Sequence, residues 1–555
     1  MLKTGHSQVQ QNAVEPVFDP LAQKYPSQRF PIYAGGGMVN CSSPQASAAG
    51  LEILRRGGNA MDAAVAAAAA LTVVEPTANG LGSDAFALVW SEEDQRLYGL
   101  NASGPAPMLA SIERVKQDCS VVNNRMPTHG WAPVTVPGAP MAWAELNGRF
   151  GRLPLSDVLM PAVRYAEEGY PCQPNLSLMW QYAFERFNGK LTGPVFEAWY
   201  KTFAPAGRAP LPGERIVLPD HAATLRAIGE TKAAAFYSGD LAYRMDEQSR
   251  YYGGYLRLED LSSFRAKWVD PIRIAYRGYE VCEIPPNGQG IVALMALNIL
   301  KEFDFKEKDC IETCHRQLEA IKIAFADALH IVTDPDHMAI DVQALLDPAY
   351  GAMRAREIGS RAQVYSHAVP AKSGTVYLCC ADGEGNMVSY IQSNYMGFGS
   401  GIVVDGTGIA LQNRGADFSL DPAAVNCLQP GKRSYHTIIP GFLMKGNIPV
   451  GPFGVMGGYM QPQGHVQVVM NYVDFHMDPQ QALDAPRWQW MRDGSVTVET
   501  RFSSELARGL SRLGHDIHVN LSTADFGRGQ MIVRLPDRML VGGTESRTDS
   551  NIACY

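Results

Sequence analysis

The stretch KSGTVYL at 372–378 puts a glycine–threonine bond at the start of a strand-like run, and these two residues carry the richest possible chemistry in the chain. A threonine hydroxyl is a poor nucleophile unless a base lies beside it. An α-amino group, with a reference pKa of roughly 7.7–8.0 against about 10.4 for lysine, exists substantially as free base near neutrality. A threonine that opens a chain therefore carries nucleophile and base on one Cα. Scission between Gly374 and Thr375 would create such a terminus, and the preceding glycine has no Cβ to hinder attack of the hydroxyl on its carbonyl. A plain junction of loop and strand accounts for the same two residues, so the pair alone leaves the choice open.

Competing chemistries lack their local signatures. The chain has no G-x-S-x-G elbow and no GxxxxGK[ST] phosphate loop. Gly288-Gln289-Gly290 follows VCEIPPN and precedes a helical run, a loose echo of the dinucleotide turn. Its third small residue is off by one, and two prolines stand where a buried parallel strand should end. Cys310 and Cys314 share a helix face with His315 nearby, but no further ligand stands at useful spacing, so no metal site is expected.

The elements that must hold Gly374–Thr375 are legible around it. TVYLCCAD and NMVSYIQS flank a glycine turn and read as a hairpin, with Cys379 and Cys380 facing opposite sides. HTIIPGFLMK and IPVGPFGVMG read as further strands, GHVQVVMNYVDF as a helix, and VTVE and GQMIVRLP as a C-terminal pair of period-two stretches. Upstream the pattern is mostly helical. Ser42 or Ser43 is the expected cap of an amphipathic helix ending at Gly57-Gly58, and Asn59 or Asp62 starts an alanine-rich one. Helices in front and strands behind suggest helical layers around a sheet.

With 555 residues, 46% of them apolar and 19% charged, the chain can bury a large core. A net charge of -8 argues against nucleic acid as a partner. The longest strongly apolar run, 63–74, falls short of the roughly 20 residues of a membrane span. The opening MLKTGHSQVQQNAVEPVFDP lacks the apolar core of a secretory signal, and ten sparse cysteines read as free thiols, so a cytoplasmic protein is expected.

From about Gly35 to the C-terminus the sequence resembles the γ-glutamyltransferase family of N-terminal-nucleophile hydrolases. The resemblance rests on LEILRRGGNAMDAAVAAAAALTVVEPTANGLGSDAF, IPPNGQGIVALMALNIL, TVYLCCADGEGNMVSYIQSNYMGFGSGIVVDGTGIALQNRGADFSLDP, KRSYHTIIP, VMGGYMQPQGHVQ and LDAPRWQW, in that order. It implies an α+β fold, a four-layer αββα sandwich, made as one precursor and self-cleaved between Gly374 and Thr375 into two intertwined chains. Residues 1–30 would be a lead-in, 31–374 the large subunit and 375–555 the small one, together a single domain, with no cofactor. The processed halves form a heterodimer, and whether two such units pair further is open. Thr375 falls on the family's nucleophile, Ser393 on a second hydroxyl residue that assists it and the maturation step, and Gly457 and Gly458 on the oxyanion hole. Asp417 falls on the acid that binds the substrate's amino group, and His436-Thr437 on a Ser-Ser pair that binds a carboxylate.

Departures from the family pattern bear on the substrate. Ser103, in NASGPAP, stands where the transferases carry an arginine for the glutamyl α-carboxylate, and the loss of that guanidinium removes a bidentate anchor. Ser83 and Asp84 interrupt the glycine-rich turn, while Arg414 stands beside Asn413 and His436 replaces a serine. The cationic side of the pocket is therefore expected to have moved from Ser103 to Arg414 and His436. The pattern resembles a branch that includes acylases and oxamate amidohydrolase. It implies hydrolysis of a small carboxylate-bearing amide such as oxamate, with γ-glutamyl hydrolysis or transfer, or a cephalosporin-acylase-like reaction, as alternatives.

Overall fold

The structure is a computed structural model that describes residues 28–365 and 374–555. Two seven-stranded antiparallel sheets stand at its centre. Across one sheet the order is Asn551–Cys554, Gly37–Cys41, Gly374–Asp382, Met387–Tyr395, Asp84–Ser91, Arg96–Ala102, Lys267–Val269. Across the other it is Ile32–Ala34, Leu540–Thr544, Arg528–Arg534, Ile448–Met456, Gly441–Lys445, Tyr279–Glu283, Ile272–Tyr276. Segments before and after the Gly374–Thr375 bond interleave in both sheets, so neither part has a core of its own.

Three apolar clusters define four layers. One lies between the sheets and includes Tyr377, Cys379, Ala381, Ile391, Phe442 and Met456. A second joins Val376, Leu378 and Cys380 to helices Pro44–Arg55, Ala60–Val74 and Leu155–Glu168. The third joins Leu443, Phe453 and Val455 to helices Gly290–Leu300, Ile311–Ile331 and Met460–Val473. The architecture is thus the expected αββα sandwich. Helix Ala60–Val74 is buried at every position. Alanine makes this close packing possible, and Asn59 caps the helix through a reciprocal box with Asp62.

The expected hairpin is present as Gly374–Asp382 paired with Met387–Tyr395, and Cys379 and Cys380 do face opposite layers. Because side chains alternate along a strand, the face that carries Tyr377, Cys379 and Ala381 also carries Thr375, and that of Ile391 carries Ser393. Both hydroxyls therefore point between the sheets, towards the strand ending at Met456.

Several expectations are corrected. Ser43 occupies the cap position of its helix but makes no side-chain cap bond; its hydroxyl goes to Gln45 and that of Ser42 to Glu75. In HTIIPGFLMK only Gly441–Lys445 is strand. The His436 main chain is drawn aside instead, bonding to Asn287 and Gln289. VTVE and GQMIVRLP do not pair: Val496–Glu499 sits in a separate three-stranded sheet, Arg528–Arg534 in a main one. His315 turns away from Cys310 and Cys314 and bonds to His515 at 2.8 Å and to the Gly359 carbonyl at 2.9 Å. Lys322 completes that buried group, reaching Glu319 at 2.8 Å and His515 at 3.3 Å. Among the described residues no helix is long and apolar enough to cross a membrane.

Asp382 ties the hairpin to the helical layer. Its carboxylate accepts the N–H groups of Glu384, Gly385 and Asn386, each at 3.0 Å, and that of Ala60 at 2.9 Å. Asp382→Ala leaves buried donors unpaired at both places and should cost on the order of 3 kcal/mol. Urea denaturation measures this, and a loss below about 1 kcal/mol would show that the turn holds without the carboxylate.

Candidate active site

The Gly374–Thr375 bond lies where the central hairpin opens. Gly374 pairs with Tyr395, but the register slips before Val376 pairs with Gln392, a bulge at the start of the strand. A Cβ on Gly374 would come within 3.1 Å of the Gly397 nitrogen and 3.2 Å of both Ala78 Cα and the Thr77 carbonyl oxygen, so glycine is required by close approach. Thr375 is fully buried, and its hydroxyl donates to Ser393 Oγ at 3.1 Å. Ser393 in turn donates to the Gly374 carbonyl at 2.7 Å and accepts the Tyr395 N–H at 2.8 Å. One hydroxyl thus touches both the attacking oxygen and the carbonyl it would attack.

Gly457 and Gly458 follow the strand Ile448–Met456 with φ of 142° and 62°. Positive φ at two successive positions favours glycine, and the absence of side chains leaves both N–H groups open to close approach. Among the described residues neither N–H has an acceptor.

The third part is a buried charge cluster. Arg414 stacks on the Tyr395 ring at 4.2 Å, donates to Thr437 Oγ1 at 2.8 Å and lies 3.8 Å from Asp417. Asp417 accepts the hydroxyls of Tyr395 at 2.8 Å and Tyr459 at 3.1 Å. Arg414 Nε and Nη2 and Asp417 Oδ2 are buried without a hydrogen-bond partner. Burial pushes the Asp417 carboxyl up to about 6 against the pull of Arg414. Unfilled donors and an unfilled acceptor side by side suit a ligand that carries a carboxylate, an ammonium or both.

His436 does not add to the cationic side. Burial, and then the neighbouring Arg414, hold its pKa well below the ordinary value, so the ring is neutral. It stacks on Phe86 and bonds through Nε2 to Asp84 Oδ2 at 3.0 Å. Asp84 also accepts the Gly104 N–H at 3.0 Å and the Gln412 amide at 2.8 Å, and so pins three segments behind the pocket. Ser103 and Asn413 are likewise engaged by protein. The Ser103 hydroxyl donates to Asn101 at 2.7 Å, while the Asn413 amide accepts from Met396 N at 3.1 Å and donates to Thr128 O at 2.8 Å.

Three residues beyond the sequence reading join the site. Tyr395, at φ 74°, and Tyr459 hold Asp417. Gln289, fully buried, donates to the carbonyls of Thr437 at 2.6 Å and Gly458 at 2.8 Å. It belongs to the glycine turn that resembles a dinucleotide motif, so its signal was present in the sequence but pointed elsewhere. Nothing local distinguishes the two tyrosines.

Burial raises the Asp84 carboxyl to about 7 despite Arg414 and its hydrogen bonds. An unfolded aspartate titrates near 3.9, so the folded state binds the extra proton and stability falls as pH rises from about 4 to about 7. Asp84→Asn should flatten that fall, read as melting temperature between pH 5 and 8. Parallel profiles for the two proteins would remove Asp84 from the titration.

Residues 46–555 match the family profile Gamma-glutamyltranspeptidase. A glutathione hydrolase-like proenzyme of Bacillus subtilis is 38% identical over 516 residues, covering 91% of this chain and 95% of its own. An oxamate amidohydrolase proenzyme of Klebsiella pneumoniae is 35% identical over 535 residues, covering 94% and 98%. Among solved structures, a cephalosporin acylase from Bacillus halodurans superposes with a TM-score of 0.93 at 55% identity, over 97% of this chain and 99% of that one. Relatives of this kind are hydrolases of amide bonds built on the N-terminal-nucleophile fold, and the same sandwich and a profile match over nearly the whole chain make this protein a member of the gamma-glutamyltranspeptidase family.

Proposed function

We propose that the chain is a precursor that cuts itself between Gly374 and Thr375 and then hydrolyses a carboxylate-bearing amide through a threonyl ester. The observation that carries this reading is the Ser393 hydroxyl, bonded at once to Thr375 Oγ and to the Gly374 carbonyl. In the cut, Thr375 Oγ bonds to the Gly374 carbonyl carbon. Its proton passes to Ser393 as the Ser393 proton moves to the carbonyl oxygen. The C–N bond then breaks as the proton on that oxygen passes to the nitrogen, which leaves as the new α-amine while the C=O re-forms, and water hydrolyses the resulting ester. The products, residues 1–374 and 375–555, stay together as a heterodimer because strands of both are hydrogen-bonded to one another in both sheets.

In turnover the α-amine accepts the Thr375 Oγ proton as the oxygen attacks the substrate carbonyl. The N–H groups of Gly457 and Gly458 hold the oxyanion. Collapse expels ammonia or an amine, which takes the proton from the α-ammonium. Water then attacks the ester, gives its proton to the α-amine, and the acid leaves as Thr375 Oγ regains a proton. No step needs a cofactor.

The unfilled donors of Arg414 beside Thr437 support a substrate carboxylate held in bidentate fashion, and Asp417 supports a positive group next to it. Oxamate is the smallest amide of this kind and is our first choice. A second reading, a larger γ-glutamyl or cephalosporin-type amide, is favoured by a cleft of about 450 Å³ that opens at Asp417 between Leu329, Val332, Ala424, Tyr435 and Tyr459. Ten unpaired cysteines suit a reducing cytoplasm.

Thr375→Ala should remain one full-length band on a denaturing gel and hydrolyse nothing, while the parent protein yields a fragment beginning TVYLC on N-terminal sequencing. A cut and active Thr375→Ala protein would end this account. Ammonia release from oxamate, set against cleavage of a γ-glutamyl anilide and a cephalosporin amide, ranks the substrates. With the preferred substrate, Arg414→Met should raise KM about 10- to 100-fold, the loss expected when a charged hydrogen-bonding partner is removed; an unchanged KM would take the carboxylate away from Arg414.

A further inference from the structure

The oxygen that gains charge meets different donors in the two reactions. In the uncut chain the Gly374 carbonyl accepts from Ser393 Oγ at 2.7 Å. The N–H groups of Gly457 and Gly458 are left without an acceptor among the described residues, free for a second carbonyl. Backbone bonds from the Met460 and Gln461 N–H groups to the carbonyls of Gly457 and Gly458, each at 3.1 Å, begin the turn into the following helix and hold the pair in part.

Gln289 is the side chain that reaches them. It sits on the turn between strand Tyr279–Glu283 and helix Gly290–Leu300 and is fully buried. Its Nε2 donates to the carbonyls of Gly458 at 2.8 Å and Thr437 at 2.6 Å, and its Oε1 accepts the Tyr435 hydroxyl at 3.1 Å. Both carbonyls can only accept, so the amide has one orientation here. Its own N–H donates to the His436 carbonyl at 2.9 Å, anchoring the turn to the segment that carries Thr437. One side chain therefore ties the far end of the glycine pair to the residue that positions Arg414, in addition to the backbone bonds of the turn. No bond joins Gln289 to Gly374, Thr375 or Ser393.

We propose that Gln289 is a positioning residue for the oxyanion site used in turnover and is dispensable for self-scission. This rests on the self-processing reading above. Without the amide, the Gly458 carbonyl keeps only its bond from the Gln461 N–H, so the turn that carries the Gly457 and Gly458 N–H groups is held less firmly, while the Ser393 contacts that drive the cut stay intact.

The test measures both reactions in Gln289→Met, which nearly conserves volume and removes the donors. Newly made precursor is followed on a denaturing gel. kcat and KM are measured with the fastest substrate among oxamate, a γ-glutamyl anilide and a cephalosporin amide. The expected result is a half-time of cutting within about twofold of the parent and a kcat lower by about 10²-fold, the size of effect seen on losing one oxyanion donor. KM should stay within about fivefold, a split that general loosening of the fold would not produce. Tyr435→Phe, which frees only the Oε1 end of the amide, should cut normally with kcat reduced at least about threefold, and it decides the matter if Gln289→Met does not fold. Cutting slowed in proportion to turnover, or kcat equal to the parent's, would overturn the proposal. A parent protein that never cuts would instead strike the self-processing reading.

Discussion

The three hydrogen bonds of Ser393 are the constraint on which the rest of the molecule depends. To accept from Thr375 Oγ and Tyr395 N while donating to the Gly374 carbonyl, its hydroxyl must lie level with the start of the neighbouring strand. It must also be on the same face as Thr375. Antiparallel pairing supplies the level, side-chain alternation supplies the face, and the register slip sets two residues, Ser393 and Asn394, opposite Thr375. A slip of one residue would turn both hydroxyls towards the helices. The buried strands, the alanine-rich helix behind them and the Asp382 turn all serve to prevent that slip.

The pocket carries its charge on buried side chains. Arg414 and Asp417 lie 3.8 Å apart, and each keeps polar atoms unpaired. In a low dielectric such groups interact strongly with whatever charge enters, and their empty state is costly. The neighbouring His436 is neutral and bonded to Asp84, so positive charge on this wall comes from Arg414, with Arg433 behind it at the Ser103 carbonyl. In the proposed reading this wall receives the substrate carboxylate, and a cleft of about 450 Å³ lined in part by Asp417 leaves room for a longer substrate.

The groups proposed for chemistry and those proposed for specificity come from different parts of the fold. Thr375, Ser393 and the glycine pair lie at strand ends in the two sheets. Arg414, Asp417 and Thr437 come from irregular segments between strands, where substitution alters the ligand without disturbing the sandwich. Gln289 is the bridge between these two sets, since it contacts both Thr437 and Gly458.

What the sequence determined by itself was a threonine after glycine at the start of a strand and the layers around it. A hydroxyl after glycine, a hairpin of alternating β-rich residues and an uncharged alanine-rich helix are local patterns, and each formed as read. The tertiary structure decided what each polar group is free to do. His436 reads as a possible cation, yet burial and Arg414 keep it neutral. Ser103 and Asn413 read as substrate contacts, but their polar atoms are engaged by Asn101, Met396 and Thr128. Gln289 reads as part of a nucleotide-like turn, but that turn folds onto Gly458. Partners such as Asp84 and His436 stand 352 positions apart in the chain. Local pattern fixes helices and strands, whereas the environment of a buried polar atom is set by contacts between distant segments, which exist only once the two sheets have closed on each other.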